Sequence, residues 1–217
     1  MKHFADKSSY DFEDLKALVR VLRAPDGCPW DRVQTHESIR RNFIEEVYEA
    51  CEAIDLKDPA LLREELGDVL LHVVFHAGIE EDAGRFTVDD VCDGVVKKMI
   101  ARHPAIFGGE GEALSWDDLK RREKGQRTLG QELSGVAKSL PGTWRAEKLQ
   151  KKAEQAGRSL NLPALPQEAA IRASADPAAA VGDLLFAAVD LARRLGVDPE
   201  AALHERCQRM IREIQES

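Results

Sequence analysis

A chain of 217 residues with a formal net charge of −8 is long enough to bury a core, either as one compact domain or as two small ones. The acidic balance argues against a protein that coats nucleic acid, which needs a basic stripe, so no nucleic-acid polymer is expected as a partner. MKHFADKSSY has no apolar run and the longest one elsewhere is interrupted at His72, so neither a signal peptide nor a membrane span is expected.

Apolar residues recur at helical spacing along almost the whole chain, with Ala, Leu, Glu, Lys and Arg between them, which predicts an all-α protein. The first helix spans Phe12 to Arg23 and ends at the loop APDGCPW. Helices over Ser38 to Leu56 and Ala60 to Asp82 flank a tight KDP turn, where Asp58 caps the second helix and Pro59 takes its first position. Val88 to Arg102 follows, then a glycine-rich connection, HPAIFGGEGEA, and a helix over Trp116 to Gln126. Beyond these come Gly142 to Ala156, a short helix near Gln167 to Ser174, Ala178 to Leu195, and Pro199 to Gln215. GDVLLHVVFHA at 67–77 is echoed by GDLLFAAVDLA at 182–192, each leading through a glycine and an acidic turn into another helix. The chain therefore reads as two related helical units, 1–130 and 131–217. Cys28, Cys51, Cys92 and Cys207 are widely spaced with no C-x-x-C pair, which predicts buried thiols in a cytoplasmic protein.

EEVYEACEAIDLKDPALLREELGD, at 45–68, crowds carboxylates into two stretches that otherwise read as core helices. On the first, Ile39, Phe43, Val47, Cys51 and Ile54 form an apolar stripe, with Glu45, Glu46, Glu49 and Glu52 opposite. A solvated acidic face normally offers Lys or Arg four residues after each Glu, but positions 49, 50 and 53 hold Glu, Ala and Ala. Arg41, before Glu45, makes the single such pair. On the second, Glu64, Glu65 and Asp68 lead into VLLHVVF, apolar on nearly every side and so expected to be buried. Asp68 then shares a face with Leu71, His72 and Phe75, where an ionised carboxylate needs a cation or several donors.

Glu46 and Glu49 are three apart, as are Glu65 and Asp68, which sets each pair within about 60° on one helix face. The short turn makes the helices antiparallel neighbours, so both pairs can face one small volume. Four hard oxygen donors there fit Mg²⁺, with Mn²⁺ as a substitute, and no His-Cys set competes for a softer metal. A metal held by carboxylates suits a phosphate-bearing substrate, whose remaining charge needs cations. Lys98 and Arg102 stand four apart in KKMIARHP, and RREK at 121–124 follows Trp116 and Lys120. Taken singly each basic residue reads equally well as ordinary surface, and Trp116 either stacks on a base or packs within its own domain.

CPWDRVQTHESIRRNFIEEVYEACEAI, then ELGDVLLHVVFHA and KKMIARHPAIFG, resembles the MazG nucleoside triphosphate pyrophosphohydrolases of the all-α NTP pyrophosphatase superfamily. The resemblance covers most of residues 10–125 and continues more loosely to the C-terminus. It implies tandem MazG-like helical bundle units, a homodimer, and Mg²⁺-dependent hydrolysis of nucleoside triphosphates to monophosphate and pyrophosphate. Carried over residue by residue, it implies metal ligands at Glu46, Glu49, Glu65 and Asp68, and phosphate contacts at Lys98 and Arg102. Nucleotide contacts fall similarly at Asn42 to Glu45, Leu61 to Glu64, Trp116 and Lys120. Glu45 or Glu64 then orients or deprotonates the attacking water, and Lys98 and Arg102 stabilise charge on the phosphate oxygens.

The second half departs from that pattern. Ala180 stands where the repeat needs a carboxylate before Asp183, QEAAIRA cannot supply E-E-x-x-E, and Glu213 replaces the basic residue matching Arg102. A unit that has lost its metal site and serves packing or dimerisation is expected there. Outside catalysis, a metal-nucleotide sensor predicts binding without pyrophosphate release, and a helical scaffold module predicts no thermal response to Mg²⁺. A superfamily relative acting on phosphoribosyl-ATP or one deoxynucleotide would use the same ligands, but the CPWD, QTH and RHPAIFG segments favour the MazG reading.

Overall fold

The computed structural model describes residues 6–108, 125, 128–158 and 168–215; among these no strand forms, as the all-α reading expects. The chain divides into two compact units, Met1–Gly111 and Glu112–Ser217.

In the first unit each main helix begins where a side chain takes up the orphan amide groups of its first turn. Helix α1, Phe12–Arg23, starts at a reciprocal cap between Asp11 and Asp14. A 3-10 turn, Asp31–Val33, leads to α2, His36–Leu56, which Thr35 and Ser38 cap reciprocally. That cap starts α2 ahead of Ser38, the first residue the apolar spacing suggests. Lys57 turns the chain in the left-handed region at φ 55°, and the Asp58 carboxylate accepts from the amides of Ala60 and Leu61 to open α3, Pro59–Asp82. Thr87 and Asp90 cap α4, Val88–Arg102. Inside the expected glycine-rich connection, Pro104–Phe107 forms a short helix, α5, which ends at Gly108 with φ 74°.

The helices α2 and α3 form the expected antiparallel hairpin, and α1 crosses α3. At that crossing a Cβ on Gly78 would lie 3.2 Å from Val19 Cγ1, so the missing side chain lets the helices approach closely. Val19, Ile39, Val74, Phe75, Ala77 and Val88 make the core, covered by Phe12, Leu15, Leu71 and Ile79. Buried Lys16 binds Asp89 at 2.6 Å and ties α1 to the start of α4. Arg23 stacks on Phe75, pairs with Asp82 at 2.8 Å and donates to the Asp31 carbonyl, which pins the loop after α1.

The structure departs from expectation in three places. On α2, Val47, Cys51 and Ile54 are exposed, and Ala50 and Ala53 take the buried positions with Ile39. Small side chains on that face let α2 lie close to α3, which turns the larger ones outward. Helix α3 is not covered all round: Leu66 and Leu70 are exposed, and burial begins at Val74, where α1 crosses. The cysteines are not buried thiols, since Cys51, Cys92 and Cys207 are exposed and Cys28 is half-buried.

The second unit contains α6, Leu129–Ser134, α7, Gly142–Gln155, α8, Glu168–Arg172, α9, Pro177–Arg194, and α10, Pro199–Gln215. Helices α7 and α9 pack through Ala153, Ala187 and Val189, and fully buried Gln150 donates to the Phe186 carbonyl at 2.8 Å. Arg193 joins them electrostatically, bonding Glu154 and Asp190. The helix expected over Trp116 to Gln126, including Trp116 and Lys120, lies outside the described residues apart from Gly125. Among the described residues no helix is long and apolar enough to cross a membrane.

Candidate metal centre

The hairpin sets the middle of α2 beside the first half of α3. Glu46 and Glu49 lie one turn apart on α2, Glu65 projects from α3, and ligand oxygens from all three lie within 4.8 Å of one another. Asp68, one turn beyond Glu65, is outside that close set, yet its charge acts on both Glu46 and Glu65. Three of the four expected carboxylates are therefore together, and Asp68 stands apart from the close set.

Electrostatics agree with that crowding. Partial burial pushes the Glu46 carboxyl above the usual carboxylate range, reinforced by a hydrogen bond with Glu49 and by the charges of Glu49, Asp68 and Glu65. Burial also raises Glu65, followed by repulsion from Glu49, Glu64 and Asp68. Groups that share a site and resist ionising together are relieved by a multivalent cation, and an all-oxygen donor set suits a hard ion such as Mg²⁺. The residues present thus fit a divalent metal.

The surroundings add groups to which the sequence assigns no role. His72 Nε2 lies 4.0 Å from Glu46 Oε1, and the Phe43 ring packs against the imidazole at 5.8 Å. Burial lowers the His72 pKa below its ordinary value, opposed by the Asp68 charge. One turn on, His76 stacks on His36, which reaches Glu80, itself gripped by Arg85. The signal for these residues is in the sequence: His72 and His76 are four apart in VLLHVVFHA, and His36 closes QTH. Periodicity alone gives them only a place on a core-facing surface.

The other expected site residues are distributed as follows. Glu45 pairs with Arg41 at 2.9 Å, as the spacing suggests. Glu64 and Asn42 are exposed and Leu61 is half-buried, on the two helices that carry the carboxylates. Lys98 and Arg102 are half-buried, four apart at the end of α4. In the second unit Asp183 is exposed and Ala180 stands one turn before it.

Known proteins resemble the chain over much of its length. Residues 34–107 match the MazG nucleotide pyrophosphohydrolase domain. The chain is 39% identical over 211 residues to the "Nucleoside triphosphate pyrophosphohydrolase/pyrophosphatase MazG" of Thermotoga maritima, spanning 92% of this chain and 82% of that protein. It is 34% identical over 225 residues to the "Nucleoside triphosphate pyrophosphohydrolase" of Escherichia coli K12, spanning 93% and 86%. A protein of the same name from Mycolicibacterium smegmatis is 40% identical over 151 residues, spanning 66% of this chain and 46% of its own length. With the domain match lying on the carboxylate hairpin and the likeness running almost end to end, the chain belongs to the MazG nucleotide pyrophosphohydrolase family.

Proposed function

We propose that this protein hydrolyses nucleoside or deoxynucleoside triphosphates to the monophosphate and pyrophosphate, with Mg²⁺ as cofactor, and so clears the nucleotide pool of the cytoplasm. The observation that carries the reading is the convergence of Glu46, Glu49 and Glu65 across the α2–α3 hairpin. Family membership and the names of the relatives support the substrate class. Exposed free thiols at Cys51, Cys92 and Cys207 suit a reducing compartment.

Glu46, Glu49 and Glu65, joined by Asp68, would hold the ion, and Mn²⁺ would substitute for Mg²⁺. When bound, the metal supplies charge neutralisation at the phosphate oxygens and polarises water. The chain's own groups do the rest. A carboxylate oxygen of Glu45 or Glu64 accepts the proton of the attacking water. Glu45 is already tied to Arg41, whereas Glu64 is exposed and makes no ion pair among the described residues, leaving it free to turn towards a water. Lys98 and Arg102 balance charge that redistributes over the phosphate oxygens in the transition state. Asn42, Leu61, Trp116 and Lys120 flank the nucleotide. The unit from 131 to 217 serves packing or dimerisation, and the protein works as a homodimer.

The deciding experiment measures pyrophosphate released from canonical, oxidised and deaminated triphosphates, with and without Mg²⁺, by wild type and by Glu49→Gln and Asp68→Asn. Mg²⁺-dependent release by wild type and its loss in both folded variants is the expected result. Wild-type rates in either variant would rule out this ligand set.

A further inference from the structure

His72 sits where the carboxylate set meets the interior of the hairpin. Its side chain is 15% exposed, against 22% for Glu46, and Phe43 lies against its ring at 5.8 Å, tilted by 33°. Nδ1 is enclosed and has no hydrogen-bond partner, while Nε2 faces Glu46 Oε1 at 4.0 Å. We propose that His72 is a positioning residue: its Nε2–H donates to the Glu46 carboxylate and holds it in the orientation in which Glu46, Glu49 and Glu65 grip a divalent ion. This rests on the carboxylate reading given under Proposed function.

A neutral imidazole has one N–H, and enclosing a donor with no acceptor is rarer in folded proteins than leaving an acceptor unpaired. With Nδ1 enclosed and alone, the proton belongs on Nε2, aimed at a carboxylate. The separation exceeds a hydrogen bond by a margin that rotation of a carboxylate closes, and such bonds commonly tighten only when a site is loaded. The histidine would then do for Glu46 what partners behind a ligand do elsewhere, fixing the direction of its lone pairs.

The chain's own repeat points the same way. Aligning GDVLLHVVFHA with GDLLFAAVDLA puts Ala187 opposite His72, and Ala187 is buried in its helix. The same alignment puts Ala180 opposite Glu65. The second helix accepts a small apolar side chain where the first has an imidazole, so packing at this position does not itself require histidine. The imidazole occurs in the unit that has the carboxylates and is absent from the unit that lacks them.

The test uses the full chain and Mn²⁺ alone, with binding followed by the electron paramagnetic resonance of the free ion, in wild type, His72→Leu and His72→Gln. Loss of the donor should weaken Mn²⁺ binding about tenfold, and Gln, whose amide N–H reaches about as far as Nε2, should recover it to within about threefold. Metal-free His72→Leu should melt no lower than wild type, and ¹⁵N shifts of the wild-type imidazole should report the Nε2–H form. Unchanged Mn²⁺ affinity in His72→Leu, equal losses in Leu and Gln, or a Nδ1–H ring would each overturn the proposal. Wild-type protein that binds no Mn²⁺ would instead overturn the carboxylate reading, and this proposal with it.

Discussion

His36 and His76 stack 9° from parallel with their Nδ1 atoms 2.7 Å apart, a separation that accommodates one shared proton. His36 Nε2 is 2.5 Å from Glu80 Oε1. In the neutral pair His36 therefore donates to Glu80 through Nε2 and accepts at Nδ1 from His76 Nδ1–H. Arg85 grips the same carboxylate and, followed by His36, lowers the Glu80 pKa to about 2. The chain of contacts ties the start of α2 to α3, the hairpin that also carries the carboxylates.

The arrangement predicts acid sensitivity with a definite sign. His76 lies below its ordinary value of 6.5, mainly through burial and then through the charges of His36 and His72. Below 6.5 the unfolded chain takes up a proton that folded His76 resists, so stability is lost as pH falls through that value. Glu80 stays ionised throughout this window and adds no slope. Replacing His76 by Leu, the residue at the aligned position 191, should flatten the fall of Tm between neutral and mildly acidic pH. His72 titrates in the same sense, so the slope should shrink but remain. Thermal melts at half-unit pH steps check this, and a slope equal to wild type would contradict it.

The carboxylates carry the opposite sign. Glu46 and Glu65 have folded pKa values above 4.5, so the metal-free folded state holds protons that the unfolded state has released. Its stability falls as pH rises through the folded values. Glu49 contributes to both shifts. Glu49→Gln should therefore raise the metal-free Tm by about 2 °C. The same change should remove the stabilisation by Mg²⁺ and lower pyrophosphate release by roughly 10²-fold or more. Melts in chelator and in Mg²⁺, paired with the release assay, separate the two effects. A lower metal-free Tm would contradict the electrostatic account.

The difference between those two clusters shows what can be read from sequence. Glu46, Glu49 and Glu65 are legible because a 3-residue spacing and a turn as short as KDP fix both the face and the pairing of two helices. Asp58 and Pro59 are legible because capping chemistry is local. His36 and His76 are 40 residues apart, and no periodicity states that they touch. Val47 and Ile54 mislead for a related reason: hydrophobic spacing gives an apolar face, but not which neighbour covers it. Ala50 and Ala53 win the inner position because α3 approaches closely.

The turn itself makes a prediction with two signs in adjacent residues. The Asp58 carboxylate accepts from Ala60 at 2.9 Å and from Leu61 at 3.1 Å. Asp58→Ala should cost about 1 kcal/mol and lower Tm by about 2–4 °C. Lys57 holds a left-handed φ of 55°, which glycine adopts without a Cβ penalty. Lys57→Gly should leave Tm unchanged or raise it. Both variants keep the carboxylates, so pyrophosphate release at room temperature should match wild type, which assays beside the melts will show.

Helix α4 supplies a test of the proposed homodimer. Val88, Val91, Val95 and Met99 follow one another at helical spacing, and Val88 is buried in the core while the other three are exposed. Val96 and Ile100 broaden the stripe, and Leu66 and Leu70 on α3 are exposed as well. This stripe is the surface on which the proposed homodimer would close. Covering the exposed part of one such side chain is worth on the order of 1 kcal/mol, and a two-fold interface counts every substitution twice. Val95→Glu combined with Met99→Glu should therefore yield monomers at micromolar concentrations where wild type remains dimeric, measured by light scattering after gel filtration. The helix should survive the change, because Glu is a good helix former and neither side chain reaches the core of its own unit. A wild-type monomer, or a dimeric double variant, would show that this stripe is not the contact between subunits.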